Sequence, residues 1–403
     1  MNDRAPGPSD RGPSPLRVAV IVDRLDARKG GMEAVVTRFV RYAVERGHDL
    51  RVYALAPAAS IEDAGAAFVR IPAPRLRFLR EPAFAERAVK RARADGCDVT
   101  LAIRHVPDAD VLWSHGGPWI TAWSRRVASF SPAIARAKRA FAVIGPKHRA
   151  LASLERRVVA PSGPRLVAVS SRVREDYVEL DVDPARISVV PNGLGPSWLP
   201  PREPSREEES AVLSVFLVAH NFRLKGVATL VRAVARLRDS GTRVSARVAG
   251  RGNPRPYLRL AKRLDVGDAV EFLGAVGSVE ELVRHYRESD AFVLPTWHDP
   301  CATATLEAMA CGRPVVTTRF DGAIEPPVAP EEAPFVLEDP GDDAALARAL
   351  ARLADPVVRR SASTRSLDRV RGREERAAFR AIEEILARAA ADRSHGQRTL
   401  PAP

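Results

Sequence analysis

The chain has 403 residues, 45% apolar and 28% charged, which is a globular composition too long for one compact core, so two domains are expected. Three cysteines (Cys97, Cys301, Cys311), odd in number and widely spaced, argue against a disulfide framework or a zinc knuckle and for a reducing compartment. No apolar run approaches the roughly 18 residues of a membrane span. The net charge of +13 is lopsided: residues 1–200 hold 32 Lys+Arg against 21 Asp+Glu, and the remainder hold 31 against 29.

In chain order, "MNDRAPGPSDRGPSP" (1–15) is polar and proline-rich, without an apolar core, and reads as a disordered tail with no secretory signal. "LRVAVIVDRL" (16–25) is an expected strand, "MEAVVTRFVRYAVER" (32–46) an amphipathic helix stopped by Gly47, and "DLRVYAL" (49–55) the next strand. A helix in "PAFAERAVKRARADG" leads to strands near "DVTLAI" (98–103) and "DVLWSHGG" (110–117). "RLVAVSSRVREDYVEL" (165–180) gives strand then helix, and "ISVVPNGL" (187–194) closes the series. "PPREPSREEES" (200–210) is a linker by composition.

The alternation then restarts with the strand "AVLSVFLVA" (211–219), followed by helix, strand, helix, the strand "AVEFLGAV", helix, and the strand "AFVLPT" (291–296). Repeated βα units imply parallel sheets covered by helices. The expected organisation is a first Rossmann-like domain over 16–199, the linker, a second over 211–372, a helix over 373–392 and a loose tail over 393–403.

Ligands of open parallel sheets lie beyond the carboxyl ends of the strands. After the first strand, Gly30-Gly31 opens a helix and lets backbone approach a phosphate, although the G-x-G-x-x-G spacing of a dinucleotide site is absent. After "DVLWS" come His115, Gly116 and Gly117, with Trp113 and Trp119 nearby; a structural role for the histidine and core packing for the tryptophans are the bland alternatives. After "AVLSVFLVA" comes "HNFRLKG" (220–226), whose Arg223 and Lys225 can hold a diphosphate or be solvated charge.

The last such stretch is "DPCATATLEAMACGRPVVTT" (299–318). Thr303 or Thr305 is expected to cap a helix carrying Leu306, Met309 and Ala310 on one face, with Gly312 ending it and Pro314 leading into a strand. Asp299 lies on the entering loop and Glu307 on the helix, where an acid either complements the dipole or accepts from ligand hydroxyls. Together these loops offer cations and a helix N-terminus for a diphosphate, Glu307 for ribose hydroxyls and Asp299 for sugar hydroxyls. That is the composition of a nucleotide-sugar site.

At this point a family resemblance is visible. "DPCATATLEAMACGRPVV" resembles the E-x7-E signature of the retaining family 4 glycosyltransferases, "KGGMEAVV" their N-terminal Gly-Gly loop, and "AVSSRVREDYVELDVDPARISVVPNGL" the segment before their linker. "RVAGRGNPRPYLRLAKRLDVGDAVEFLGAV" resembles the stretch leading to their base pocket. The resemblance implies the GT-B fold, two Rossmann-like domains facing a cleft. It implies that Glu307 binds the donor ribose, Lys225 neutralises the diphosphate, and the backbone at Thr305 and Leu306 touches the same phosphates. Phe272, Leu273 and Gly274 would line the base, Gly31 would lie under the distal phosphate, and His115 would sit near the reacting sugar.

Two positions depart from the pattern: the first acid is Asp299, one methylene shorter than the usual Glu, and His220 replaces a usual Arg, leaving Arg223 to supply that charge. "HNFRLKG" and "TWHDPC" look closest to the branch with bacterial lipopolysaccharide-core glucosyltransferases. The expected reaction is hexose transfer from a nucleoside diphosphate sugar to a hydroxyl of a cell-envelope glycan or glycolipid, with retention and without a metal or cofactor. Lys225, Arg223 and the helix N-terminus would stabilise the leaving group, and His115 and Asp299 would orient the sugar.

Rival readings are a GT-B nucleotide-sugar epimerase and a catalytically silent glycan-binding homologue. Nucleic-acid binding is not expected, since aromatic residues are only 6% and no recognition motif occurs.

The charge excess concentrates in residues 121–165, with ten Lys+Arg and one acid, Glu155, interleaved with Trp123, Val127, Phe130, Ile134, Phe141, Val143, Ile144 and Leu151. Either this face packs on the first sheet, or it rests on an anionic membrane surface. The second option makes a cytoplasmic enzyme peripheral on the inner face of the plasma membrane.

Overall fold

The computed structural model describes residues 14–26, 30–57, 59–198 and 211–395. The expected linker over 200–210 and most of both expected tails lie outside the described residues.

Two parallel sheets form from continuous apolar runs. The first holds β1 (Arg17–Ile21), β2 (Asp49–Ala54), β3 (Ala67–Arg70), β4 (Val99–Ala102), β5 (Val111–Ser114), β6 (Arg165–Ala168) and β7 (Ile187–Val189). Its order is β3-β2-β1-β4-β5-β6-β7. The second holds β8 (Leu213–Val218), β9 (Val244–Ala249), β10 (Val270–Gly274), β11 (Ala291–Val293), β12 (Val315–Thr318) and β13 (Val336–Leu337), in the order β10-β9-β8-β11-β12-β13. Every pairing is parallel. Covered on both faces, β4, β5 and β11 are buried along their whole length, which is why they read as unbroken hydrophobic runs.

The first sheet carries helices α1 (Gly31–Glu45), α2 (Ala59–Glu62), α3 (Arg77–Ala94), α4 (Trp119–Ala128), α5 (Pro132–Ile144), α6 (Pro146–Val159) and α7 (Ser171–Val178). The second carries α8 (Val227–Asp239), α9 (Arg255–Arg263), α10 (Val279–Arg287), α11 (Thr303–Ala310), α12 (Asp343–Ala354) and α13 (Pro356–Val370). Local signals set their starts. Ser278 accepts from Glu281 N at 3.1 Å to begin α10. Asp355 accepts from Val357 N at 2.8 Å to begin α13, with Pro356 in the first position.

The final helix, α14 (Glu375–Ser394), returns to the first sheet's side. Phe379 meets Phe39 at 5.6 Å and Trp113 at 6.5 Å, and Arg38 pairs with Glu375 at 2.7 Å. Buried Glu383 accepts from Tyr42 at 2.9 Å and contacts His48 at 2.9 Å. This helix therefore ties the end of the chain to the first domain.

In both sheets the strand order reverses beside the first strand, between β1 and β4 and between β8 and β11. Those two switch points place the loops after β1 and β8 where an open α/β sheet takes its ligand.

Candidate functional site

The two switch points meet across one cleft. Gly31, at the start of α1, lies against Thr303 at the start of α11: a Cβ on Gly31 would sit 2.7 Å from Thr303 Oγ1. Only glycine lets the two helix N-termini approach this closely. Between them lies a cavity of about 130 Å³, bordered by Gly31, Arg38, Gly195, Trp198, Thr303 and Glu307.

Lys225 ends the loop after β8. Gly226 follows in the left-handed conformation (φ +72°), where a side chain would strike the Pro295 carbonyl, so the turn that delivers Lys225 requires glycine. Lys225 Nζ pairs with Asp299 and donates to the His298 carbonyl at 3.3 Å. The two residues singled out from separate stretches of sequence are thus in direct contact.

Glu307 is half-buried on α11, with Tyr286 Oη donating to Ala304 O at 3.1 Å and to Glu307 Oε2 at 3.2 Å. Burial pushes the carboxyl up to about 7, with Tyr286 and Arg38 opposing the shift. An acid that complemented a helix dipole would sit in solvent on the first turn; this one faces the inter-domain cavity.

The expected cap of α11 is different. Ala302 holds the capping position and no side chain caps the helix. Thr305 is buried in the first turn, past the capping position, and its hydroxyl donates to the Asp321 carboxylate at 2.6 Å, a charge-assisted bond. Asp321 is the residue the sequence reading missed. It also accepts from Thr317 Oγ1 at 3.0 Å, Ala323 N at 3.0 Å and Ala302 N at 3.3 Å, and its backbone forms an isolated parallel bridge with Asp299. Burial and the Asp299 charge push its carboxyl up to about 6. Only the pairing of the Asp299 and Asp321 loops reveals it, since Asp321 belongs to no spacing motif. Asp321→Ala should lower unfolding free energy by about 2–4 kcal/mol in urea melts, because several buried donors lose one acceptor together.

Arg223 does not join Lys225. Its guanidinium lies 3.3 Å from the Phe130 ring centroid and donates to Ser129 Oγ at 3.0 Å, so it reaches across to the first domain. Lys138 lies over the same ring at 4.6 Å. On β10, Phe272 packs on Phe222 and Tyr257 at 5.7 and 6.3 Å, and the Gly274 carbonyl accepts from Gly250 N at 2.6 Å. Phe272, Leu273 and Gly274 therefore line the rim beside the loop after β8.

His115 lies 4.3 Å from Trp113, and its Nε2 is buried with no hydrogen-bond partner among the described residues. Burial pushes the imidazole down to about 3, so it is neutral at ordinary pH. Trp119 stacks on Trp123 at 6.3 Å and meets His148 edge-on at 4.8 Å, half-buried on α4 and not in the core expected for it.

Comparisons with known proteins bear on the two domains and their fold. The model described as "Glycosyltransferase Family 4" matches residues 29–198, and that described as "Glycosyl transferases group 1" matches residues 213–355. The chain is 29% identical to a D-inositol 3-phosphate glycosyltransferase of Geodermatophilus obscurus, covering 84% of this chain and 82% of that protein. A Salinispora tropica protein of the same name is 26% identical, over 84% and 77%.

Among solved structures, WaaG, a glycosyltransferase involved in lipopolysaccharide biosynthesis, superposes with a TM-score of 0.68 at 18% identity, covering 92% and 99% of the two chains. Anabaena Alr3699/HepE in complex with UDP-glucose gives 0.64 at 16% identity, covering 93% and 100%. With a family 4 domain before a group 1 domain, and two parallel-sheet domains facing a cleft, the chain is a glycosyltransferase of the GT-B fold.

Proposed function

We propose that the chain moves a hexose from a nucleoside diphosphate sugar to a hydroxyl of a cell-envelope glycan or glycolipid, with retention of configuration. The observation that carries this reading is that Gly31, Glu307 and the N-terminus of α11 border one inter-domain cavity, while Lys225 and Asp299 pair on the adjoining loops of the second domain. Lys225 and the N-terminus of α11 meet the diphosphate, and Lys225 exchanges Asp299 for phosphate oxygens as the donor enters. Glu307 accepts from the ribose hydroxyls, and Phe272, Leu273 and Gly274 border the base. His115, neutral, donates or accepts at a sugar hydroxyl, and released Asp299 takes another. Negative charge gathers on the leaving group, and these fixed donors stabilise it without a metal.

UDP-sugars are the first donors to try, because the HepE neighbour binds UDP-glucose. Incubation with a panel of nucleotide sugars and glycolipid acceptors should release free nucleoside diphosphate and a sugar-extended acceptor. Nucleotide release that does not depend on acceptor, or interconversion of donor sugars, would replace this reading with the epimerase one.

The acceptor reading draws support from α5. Ile134, Phe141 and Ile144 are 48%, 69% and 71% exposed, and Arg136, Lys138 and Arg139 share that short helix. Glu155, the one acid of residues 121–165, is buried and accepts from Trp119 N at 2.7 Å, so Arg136, Lys138 and Arg139 on α5 have no acid of that stretch on the surface. Burial pushes it up to about 7. No described helix is long and apolar enough to cross a membrane. We read α5 as resting on an anionic bilayer, which places a lipid-linked acceptor beside the cleft. Vesicles containing anionic lipid should sediment the protein and release it at high salt. Charge reversal at Arg136, Lys138 and Arg139 should weaken that binding and leave nucleotide affinity unchanged. Equal binding to neutral and anionic vesicles, or none to either, would return α5 to ordinary surface.

A further inference from the structure

One histidine spans the cleft. His298 precedes Asp299 on the loop after β11 and is buried. Its two ring nitrogens meet two groups of the first domain: Nε2 lies 3.1 Å from Gly116 O, and Nδ1 lies 3.4 Å from Arg125 Nη1. A carbonyl only accepts and a guanidinium only donates. Nε2 therefore carries the hydrogen and Nδ1 accepts, so one neutral tautomer satisfies both contacts.

Each side of this bridge is anchored. Arg125 is held by Asp176 through contacts of 2.6 and 2.9 Å, and Asp176 also takes Arg172 at 2.8 Å. The His298 N–H donates to Thr296 Oγ1 at 3.2 Å, and its carbonyl accepts from Lys225. Gly116 directly follows His115. The imidazole thus joins the loop carrying His115 to the loop carrying Lys225's partner, Asp299.

We infer that His298 is a positioning residue, a cross-cleft latch whose two hydrogen bonds set the closed register between the His115 loop and the Asp299–Lys225 pair. Its role in transfer rests on the proposed function; the latch itself rests on geometry alone. Ser170 Oγ also donates across the cleft, to Pro300 O at 2.6 Å, so removal of the latch loosens closure without abolishing it.

The latch carries a pH dependence of defined sign. A second ring proton would place an N–H against the Arg125 guanidinium and a cation near Lys225. The acids facing the ring are already engaged, Asp176 by Arg125 and Arg172, and Asp299 by Lys225. Burial pushes the closed-state imidazole down to about 4, with Arg125 and Lys225 adding to the effect, and Gly116 and Asp299 opposing it. In an opened cleft the ring returns toward about 6.5. The contribution to closure is complete above that value and is lost as pH falls toward the closed-state value. Between pH of about 7.5 and 5.5 the closed-to-open ratio should drop about tenfold.

Hydrogen exchange on the ligand-free full chain tests this without any assumption about substrate. Protection factors, corrected for intrinsic rates, are read over residues 113–118 and over β8 as a remote core reference. In wild type, protection of 113–118 should fall about tenfold from pH 7.5 to 5.5 while β8 holds. His298→Ala should lower that protection about tenfold at pH 7.5 and abolish the pH step. His298→Gln, whose amide can donate to Gly116 and accept from Arg125, should restore protection with no pH step. Wild-type protection with an unchanged pH step in the Ala variant would overturn the latch. If β8 also loses protection in the Ala variant, the Gln variant decides: restored protection without the step supports the latch, and a retained step overturns it. Calorimetry with UDP on the same samples reports separately on the nucleotide site.

Discussion

Glu307→Gln should weaken binding of the donor and of the product nucleotide by roughly ten- to a hundredfold and, at the same time, raise the melting temperature at neutral pH. The first effect follows from hydrogen bonds to a charged acceptor, worth about 1.5–3 kcal/mol each. The second follows from burial. The carboxyl of Glu307 is raised from 4.5 to about 7 in the folded protein. A raised acid favours the fold below its unfolded value, and that contribution is lost as pH rises through the folded value. Over that window the ionised form costs about 3 kcal/mol. A neutral isostere escapes this cost but offers the ribose an amide in place of a carboxylate. Titration calorimetry with UDP, beside thermal melts at pH near 5 and near 8, separates the two effects. Unchanged nucleotide affinity with a raised melting temperature would make Glu307 a structural acid only.

Much of this site is legible in the sequence because it lies where strands end. Lys225, Asp299 and His115 each follow an unbroken apolar run, and parallel sheets place such positions at one edge. Glu307 was legible because Gly312 and Pro314 bound its helix. What escapes the sequence is which partner a side chain chooses. Thr305 is a reasonable cap by type, yet it donates to Asp321, a residue brought near only by the parallel bridge to Asp299. Arg223 is a reasonable phosphate ligand by position, yet it stacks on Phe130 from another domain. The periodicity of α14 announces a helix but cannot say that Glu375 and Glu383 carry it back to Arg38 and Tyr42. Local pattern encodes elements; contacts between distant loops depend on the closed arrangement of two domains.

Lys225→Ala should cut turnover by about a hundred- to a thousandfold while raising the Michaelis constant far less. Two features of the site set that asymmetry. In the resting structure Lys225 is neutralised by Asp299 and held to the His298 carbonyl, so donor entry replaces one anionic partner with another and gains little net binding. As the glycosidic bond breaks, the departing diphosphate gains charge, and the ammonium then faces a stronger anion than in the ground state. Removing one such preorganised donor typically costs a hundred- to a thousandfold in turnover. Lys225→Arg keeps the charge but not its compact placement against Asp299, and should recover only part of the loss. The alanine variant also leaves Asp299 without its cation beside Asp321, so thermal melts must accompany the kinetics to separate a folding defect from a chemical one. EDTA should leave the wild-type rate intact, because Lys225 and the start of α11 supply the positive potential that a divalent ion would otherwise provide. A strict requirement for added magnesium or manganese, or an alanine variant that loses affinity and turnover equally, would assign Lys225 to ground-state binding and place the leaving-group stabilisation elsewhere.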